Sequence, residues 1–369
     1  MTIPIVSSED FARLLLDGVP FIDVRAEVEF AKGSLPNAVN LPILNTAERH
    51  EVGTVYREQG QASAIEVGHE RVSGDVREQR TAAWCDFARH NPNTHVFCWR
   101  GGMRSNLAVE WMHAAGYTAP VIEGGFKALR RFLIQVLEAA ATQPLLRLGG
   151  RTGSGKTGLL HTLANGIDLE GHANHRGSSF GRRASQVPTQ IDFEHALAVD
   201  LLRFQHQHQH QHQQLIVEDE SMRIGAVSIP LPFFDAMRNA PMVVIDRLLA
   251  ERVAVIRRLY VEDLLQEYIA LGCDRPQLAF ARHLQDALKR ISKRLGGERY
   301  QRFSRLLNDA LASGNSDDHD RWIEPLLTDY YDPLYDYQLD KLRPRIVFQG
   351  NYQAVSEWLA ANDRICTAM

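Results

Sequence analysis

The chain has 369 residues, of which 44% are hydrophobic and 23% are charged; this excludes a largely disordered protein and suffices for two globular domains. Its formal net charge of −4 excludes a generally basic surface, so any polyanionic partner has to be held by a local basic patch. The sequence shows neither an apolar run long enough to cross a bilayer nor a secretory signal, which predicts a cytoplasmic protein without a membrane partner.

The first third of the chain alternates short apolar runs with stretches of helical spacing. Residues 21–24 and 95–97 are short apolar runs, typical of strands that are buried in a parallel sheet. Three stretches around them have the spacing of amphipathic helices: residues 9–16, 81–89 and 105–115. This alternation predicts an α/β domain over residues 1–138, ahead of the helix breaker Pro144.

A cysteine loop follows the second apolar run and precedes a predicted helix. Its sequence is Cys98-Trp99-Arg100-Gly101-Gly102-Met103-Arg104-Ser105. At such a position main-chain N–H groups converge on the sulfur, while Arg100 and Arg104 favour the thiolate over the thiol. We therefore predict that Cys98 is nucleophilic, with Arg100 and Arg104 as its catalytic partners.

The other cysteines are scattered, without C-x-x-C pairs, and are predicted to be free thiols: Cys85, Cys273 and Cys366.

Two other interpretations of Cys98 stay open at this point. Free cysteine is among the most buried residue types, so a purely structural role is one alternative. The spacing of a cysteine, five residues and an arginine is also that of cysteine-dependent phosphatases, in which the thiolate attacks phosphorus. A phosphatase fused to a nucleotide-binding domain is therefore the alternative from another reaction class.

A glycine-rich motif follows the predicted domain boundary. It reads Gly150-Arg151-Thr152-Gly153-Ser154-Gly155-Lys156-Thr157 and fits G-x-x-x-x-G-K-T. The motif lies between an apolar run at 145–148 and a predicted helix over 158–164. It predicts a P-loop that binds a diphosphate through main-chain N–H groups and Lys156, with the Thr157 hydroxyl as a candidate ligand for Mg²⁺. The motif does not specify what carries the diphosphate, and ATP is the default expectation.

Three later apolar runs supply partner strands for residues 145–148, namely 215–217, 242–245 and 346–348. Together they predict a parallel sheet wrapped by helices within a second domain over residues 139–369. Glu218 and Asp219 follow the first of these runs, where P-loop folds keep an acid for magnesium or catalysis; no metal ligand is certain from the sequence. The Gln/His alternation at 205–214 resembles a low-complexity insertion, because nothing fixes its imidazoles as metal ligands.

A basic helical region occupies about residues 250–340. An apolar stripe from Leu284 to Leu295 leaves four basic side chains on other faces of the predicted helix: Lys289, Arg290, Lys293 and Arg294. These four are candidate contacts to a nucleic acid, and an ordinary solvated helix face is the alternative. The tyrosines within residues 330–337 are able to stack on unpaired bases, although core packing is the better interpretation for most of them.

Several of these segments resemble known families. Residues 23–25, 29–30, 33–38 and 40–42 resemble the opening signature of rhodanese-like domains, and residues 123–125 resemble the closing one. With the cysteine loop and the P-loop in this order, nearly the whole chain resembles the bacterial tRNA 2-selenouridine synthases. Further stretches are similar to that family: residues 52–56, 64–68, 175–181, 218–221 and 224–225. The Gln/His tract is the clear departure from the family's pattern.

The resemblance implies a three-layer rhodanese-like domain followed by a P-loop NTPase-like domain with helical additions. It implies a transferase that acts on the wobble 2-thiouridine of a tRNA anticodon. Geranyl diphosphate, held by the P-loop in place of ATP, alkylates the sulfur, and selenophosphate then supplies the selenium of 2-selenouridine. Cys98 is expected to carry the transferred chalcogen, as the cysteine of rhodanese-like sulfurtransferases does. An enzyme that supplies selenophosphate is an expected partner, and no tightly bound cofactor is expected beyond a candidate Mg²⁺.

A non-catalytic protein is the remaining alternative. It would use the rhodanese fold as a scaffold and the P-loop as a nucleotide sensor. The intact Cys98 and Lys156 argue against this interpretation. A phosphatase, in contrast, is expected to hydrolyse a simple aryl phosphate without any dependence on tRNA.

Overall fold

The computed structural model describes residues 3–207 and 213–362. The chain divides into two compact units: one runs to Leu137 and includes Thr189–His206, and the other consists of Glu138–Pro188 and the chain from Gln207 onward. Each unit contains a five-stranded parallel sheet with helices around it, which confirms the predicted α/β fold. Within the described residues, no helix is both long and apolar enough to cross a bilayer.

The first unit is built on one sheet of short parallel strands. The strands are β1 (Ile5–Val6), β2 (Phe21–Asp23), β3 (Ala38–Asn40), β4 (His95–Phe97) and β5 (Val121–Ile122). The helices up to residue 140 are α1 (Phe11–Leu16), α2 (Glu27–Phe30), α3 (Thr46–Gln59), α4 (Gln61–Arg71), α5 (Gly74–His90), α6 (Met103–Ala114) and α7 (Gly125–Ala140). The strand order is β1-β5-β4-β2-β3, so that β4 is central. Both β2 and β4 are buried along their whole length, as their apolar runs predict.

A buried ion pair lies at the carboxyl edge of this sheet. Asp23, the last residue of β2, accepts a 2.6 Å contact from Arg25, and the two side chains are 0% and 1% exposed. Arg25 also donates to the carbonyl oxygen of Gly33 at 2.9 Å, and its guanidinium lies 3.8 Å from the ring centre of Phe126. This ion pair therefore links three residues of the segments that resemble the opening rhodanese signature: Asp23, Arg25 and Gly33.

Replacing Arg25 by alanine should lower the free energy of unfolding by about 3–5 kcal/mol, because Asp23 would stay buried without its partner. Arg13 offers a matched control, since it lies at the same 2.6 Å from Asp10 but in a pair whose side chains are 67% and 42% exposed. Arg13→Ala should cost no more than about 1 kcal/mol. Urea denaturation of the wild type and the two variants measures both values, and equal losses would argue against a special role for the buried pair.

The second unit is built on another parallel sheet. Its strands are β6 (Leu145–Gly150), β7 (Gly166–Ile167), β8 (Leu215–Glu218), β9 (Arg223–Ile224), β10 (Val227–Ser228), β11 (Met242–Asp246) and β12 (Ile346–Asn351). The sheet order is β12-β11-β6-β8-β7 with parallel neighbours, while β9 and β10 form a separate antiparallel pair. The apolar runs predicted as parallel strands are thus confirmed, and the P-loop leaves the central strand β6.

The later helices of the chain, apart from α10, surround this sheet or form a helical region within the second unit. They are α8 (Lys156–Leu160), α9 (Leu169–His172), α10 (Gln190–Gln207), α11 (Leu231–Asn239), α12 (Leu249–Arg257), α13 (Asp263–Ala270), α14 (Pro276–Arg290), α15 (Ser292–Leu295), α16 (Gly297–Ser313), α17 (Asp320–Leu326), α18 (Asp332–Leu342) and α19 (Tyr352–Ala361). Helix α8 is shorter than the predicted helix over 158–164, because the N–H groups of Thr162 and Leu163 bond three residues back and turn the chain. The predicted apolar stripe from Leu284 to Leu295 is buried, divided between α14 and α15.

Helix α10 belongs to the first unit although it follows the P-loop in the chain. Asp192 accepts hydrogen bonds from the main-chain N–H of Ser34 at 2.7 Å and from its hydroxyl at 2.9 Å. The Nδ1 atom of His195 lies 2.6 Å from the Ser34 carbonyl oxygen. A single boundary after residue 138 therefore describes the two sheets but not this helix. The middle of the Gln/His tract and Cys366 lie outside the described residues.

Candidate active sites

The cysteine loop leaves the central strand β4 and ends in the first turn of α6. Cys98 is 3% exposed, and its Sγ lies 3.4 Å from the Ser105 hydroxyl oxygen. The Cys98 carbonyl oxygen accepts a hydrogen bond from the main-chain N–H of Phe126 at 2.9 Å. A Cβ on Gly125, whose φ is 57°, would lie 2.2 Å from that carbonyl oxygen, and one on Gly101 would also meet main-chain atoms. The closing rhodanese signature thus needs glycine because it packs directly on the cysteine loop.

The surroundings of Cys98 favour the thiolate. Burial raises the pKa of Cys98, but hydrogen bonds from the Ser105 hydroxyl and the Arg100 main-chain N–H, together with the charge of Arg104, hold it below its ordinary value. Arg104 is fixed by Glu29, whose Oε2 accepts from Nη1 at 2.7 Å. Arg100 acts through its main chain, since its side chain is exposed. The loop brings the three predicted residues together, and it adds Ser105 and Glu29, which the sequence motifs contain but do not assign.

Cys98 should be alkylated at least about tenfold faster than Cys85 by iodoacetamide near pH 7. Both residues are 3% exposed, so exposure does not distinguish them. The pKa of Cys98 is lowered, whereas burial raises the pKa of Cys85. Labelling of Cys98 should therefore persist as the pH falls, until the pH passes its lowered pKa. Peptide mass spectrometry measures both rates, and equal labelling would refute an activated Cys98.

A cavity of about 900 Å³ adjoins the cysteine loop. Arg100, Met103 and Arg104 form one part of its wall, and α3 and α4 form another. Its apolar lining includes Leu44, Val52, Ile65, Val72, Leu107 and Trp111. The cavity therefore combines a hydrocarbon interior with the arginines of the cysteine loop.

The P-loop connects β6 to α8 with its lysine directed back at the loop. The Lys156 Nζ donates to the carbonyl oxygen of Gly150 at 3.0 Å. Arg151 is turned to Asp336, whose Oδ1 accepts two contacts at 2.7 and 2.9 Å. A cavity of about 730 Å³ lies over the loop, and every residue of the motif except Arg151 lines it. The structure thus gathers the predicted diphosphate-binding residues around one cavity, with Arg151 outside its lining.

Acidic side chains surround the P-loop threonine. The Thr157 hydroxyl donates to Glu218 at 2.7 Å and lies 3.5 Å from Glu170, which the sequence analysis did not single out. Burial, together with the negative charges of Asp168 and Glu220, raises the pKa of Glu218 to about 7. Burial and the neighbouring acids also raise the pKa of Glu170. Glu218 therefore lies where the sequence placed a candidate acid.

The second predicted acid, Asp219, has a different partner. It pairs at 2.9 Å with Arg147, a residue of β6 that is 3% exposed, and so compensates a buried positive charge. Among the described residues, no group of three or more histidine, cysteine, aspartate or glutamate side chains is arranged to hold a metal ion by itself. A cation at Thr157 and Glu218 would need further oxygen ligands, such as those of a bound diphosphate.

Apolar and aromatic side chains also contribute to the lining of the P-loop cavity, among charged ones. They come partly from two π-helical turns, Arg258–Glu262 and Leu327–Tyr331, and include Ile256, Leu259, Tyr260, Tyr331, Tyr335 and Tyr352. Of the tyrosines within 330–337, Tyr330 is packed in the core, while Tyr337 is 64% exposed. Core packing therefore holds for Tyr330 and for Tyr331, which packs against the same core, while Tyr331 and Tyr335 also line the P-loop cavity.

The predicted basic residues lie at the surface of the helical region. All four are exposed: Lys289, Arg290, Lys293 and Arg294. Arg290 donates to the carbonyl oxygen of Ser179 at 2.9 Å, in a segment next to Ser178 of the P-loop cavity. Contact of these four residues with a nucleic acid stays a prediction.

The fold and the two sites define a class of protein in which a rhodanese-like unit with a cysteine loop accompanies a P-loop unit. The family model of the rhodanese-like domain matches residues 7–131, and that of the tRNA 2-selenouridine synthase AAA domain matches residues 143–365. The chain belongs to the tRNA 2-selenouridine synthase family.

Three curated relatives carry the name tRNA 2-selenouridine synthase and match over nearly their full length. The Marinobacter nauticus protein is 47% identical, over 95% of this chain and 96% of the relative. The Cupriavidus necator protein is 48% identical, over 96% and 97% of the two chains. The Photobacterium profundum protein is 44% identical, over 98% and 100%.

Proposed function

We propose that this protein converts the wobble 2-thiouridine of tRNA to 2-selenouridine through an S-geranyl intermediate, with geranyl diphosphate and selenophosphate as its substrates. The names of its relatives support the overall conversion. The observation that carries the two-step route is the composition of the P-loop cavity, whose lining combines the residues of the diphosphate motif with apolar and aromatic side chains. A prenyl diphosphate matches both parts of that cavity.

The prenyl step is assigned to the P-loop unit. The glycine-rich turn and Lys156 bind the diphosphate, and Ile256, Leu259 and Tyr260 contact the hydrocarbon chain. The bond between geranyl C1 and oxygen breaks while C1 bonds to the sulfur of the base, which loses its N3 proton. The diphosphate leaving group stays bound to the P-loop while the bond to C1 breaks. Catalysis here therefore consists of positioning the substrates and stabilising the leaving group.

We propose that Mg²⁺ binds together with the diphosphate. Burial and the charges of Asp168 and Glu220 raise the pKa of Glu218, although Lys156 lowers it, so acidic side chains outweigh this lysine around Glu218. Thr157 and Glu218 would hold the ion, which would supply positive charge beside the diphosphate oxygens. The protein's own residues still select the ligand, through the lysine and the shape of the cavity.

The selenium step is assigned to the Cys98 loop. Alkylation turns a thiocarbonyl sulfur into a thiolate leaving group. Water cleaves the P–Se bond of selenophosphate to give phosphate and hydrogen selenide, selenium bonds to C2 of the base, and the C2–S bond breaks. The two protons of hydrogen selenide end on N3 and on the departing geranylthiol, so no oxidant or reductant is needed. Arg104 and the loop amides hold the anionic donor beside Cys98, whose thiolate takes a proton from the attacking water and returns it to the departing selenide. In this step Cys98 acts as a base, because a bond between its sulfur and the selenium would require an oxidant.

Omission of single donors tests this function. The full chain is incubated with 2-thiouridine tRNA, geranyl diphosphate and selenophosphate, and the nucleosides are analysed by mass spectrometry. Leaving out selenophosphate should give only S-geranyl-2-thiouridine, and leaving out geranyl diphosphate should give neither product. Formation of 2-selenouridine without geranyl diphosphate would remove the prenyl step from the mechanism, and absence of both products would reject the function.

A further inference from the structure

The cavity beside the Cys98 loop is much larger and more apolar than a selenophosphate ion requires. We infer that it binds the prenyl chain of the S-prenylated thiouridine, so that the rhodanese-like unit recognises the intermediate by its hydrocarbon group. This inference rests on the proposed function, because that function supplies a prenylated base as a substrate. At about 900 Å³ the cavity is in the range of small-molecule sites and has room for a base with a ten-carbon chain.

Helices α3 and α4 form a helical hairpin that covers the cavity, and few of the hairpin's side chains are buried against the rest of the protein. Helix α3 has 14 residues and none of them is buried, and α4 buries only Ala64. A helix in a protein is normally stabilised by packing its apolar face. Here Val52 of α3 and Ile65 of α4 line the cavity. A hydrocarbon ligand would therefore supply the contacts that this face lacks.

Two glycines widen the cavity at the hairpin. Gly53 and Gly68 lie inside α3 and α4, where glycine weakens a helix, and both line the cavity. Neither has a positive φ, so no turn requires them. A Cβ on Gly53 would meet nothing within 4 Å, and one on Gly68 would first meet Val52 at 3.9 Å. Larger side chains at these two positions would not disturb the packing of the protein, but they would take up space in the cavity.

The charge of the cavity matches a nucleotide with a hydrocarbon chain. Basic side chains at the cavity include Arg49, Arg57 and Arg100, while the acidic residue of its lining, Glu29, pairs with Arg104 at 2.7 Å and more distantly with Arg49 at 3.9 Å. Phosphates on either side of the modified base would meet these cations. Geranyl diphosphate shares the combination of chain and phosphate, so the test has to separate the prenylated base from the free donor.

Gly53→Leu adds a side chain at a position where a Cβ meets nothing within 4 Å, and it replaces a poor helix former by a good one, so it should fold at least as well as the wild type. Binding is measured by fluorescence anisotropy with two labelled anticodon stem–loops, one carrying S-geranyl-2-thiouridine and one carrying 2-thiouridine. The wild type should prefer the geranylated RNA by about tenfold or more. Gly53→Leu should lose this preference and leave the Kd of the 2-thiouridine RNA within about twofold.

Ala47→Leu is the matched control, because Ala47 is exposed on the same helix and does not line the cavity. It should keep the wild-type preference. In activity assays Gly53→Leu should slow selenation of geranylated RNA and leave geranylation of 2-thiouridine RNA unchanged. Loss of geranylation instead would mean that the cavity binds the free donor, which overturns the inference.

The binding assay separates this inference from the proposed function. If the wild type prefers geranylated RNA but forms no 2-selenouridine, the function is wrong and the prenyl site stands. If the wild type forms 2-selenouridine and Gly53→Leu retains the full preference, the prenyl chain binds elsewhere and the inference is wrong.

Discussion

Replacement of Cys98 by alanine should stop selenium transfer and cause S-geranylated tRNA to accumulate. The Ser105 hydroxyl, the Arg100 N–H and the charge of Arg104 all act on the Cys98 sulfur, so its removal leaves the loop without its reactive group. We expect the rate of 2-selenouridine formation to fall by about 10³-fold or more. The rate of geranylation should stay within about twofold, because Lys156 and Thr157 belong to the other unit. Nucleoside mass spectrometry over a time course measures both products.

Cys85→Ala is the matched control for this variant. Cys85 has the same 3% exposure in the same unit, but it packs in the core of the sheet and its pKa is raised by burial. Removing its sulfur should leave both steps intact at temperatures at which the protein is folded. If Cys98→Ala lost geranylation and kept selenation, the assignment of the two steps would have to be reversed. Hydrolysis of an aryl phosphate that depends on Cys98 but not on tRNA would favour a phosphatase.

The two sheets could be predicted because strands buried on both faces appear in the sequence as short apolar runs. Residues 95–97 and 145–148 became the central strands of the two sheets, and each motif follows the carboxyl end of its strand. Parallel sheets form their sites at that edge, so a strand followed by a loop motif already located both loops on the sheets. The same rule predicted Glu218, since β8 neighbours β6 and ends beside the P-loop.

Contacts between residues far apart in the sequence could not be predicted in this way. Helix α10 joins the first unit through Asp192 and Ser34, which are separated by 158 residues, and no local pattern encodes that pairing. Glu170 reaches Thr157 from a four-residue helix without a recognisable motif. Arg151 is drawn to Asp336, 185 residues further along. Residues 52–56 and 64–68 were noted only for their similarity to the family, and the helices α3 and α4 that contain them were not predicted, because they bury almost none of their side chains.

Lysine 156 should be as important for the prenyl step as Cys98 is for selenium transfer. Its ammonium group lies among four acidic residues that adjoin the P-loop: Asp168, Glu170, Glu218 and Glu220. Lys156→Ala would leave the diphosphate facing these acids without the lysine's charge, so geranylation should fall by about 10²–10³-fold. Selenation of tRNA that is already geranylated should be unchanged. Lys341→Ala is the control, because Lys341 is exposed in the same unit and contacts the Tyr337 ring.

Mixing Lys156→Ala with Cys98→Ala gives the sharpest test of whether the prenyl step and the selenium step belong to separate units. Lys156→Ala keeps the intact Cys98 loop, and Cys98→Ala keeps the intact P-loop, so each supplies the step that the other lacks. Together with 2-thiouridine tRNA and both donors, the mixture should form 2-selenouridine, because geranylated tRNA released by one variant is a substrate for the other. The rate should rise with enzyme concentration, since the intermediate has to dissociate and rebind. A mixture that forms no S-geranyl intermediate would show that Cys98 is needed for the prenyl step as well, and the two chemical steps could not then be assigned to separate units.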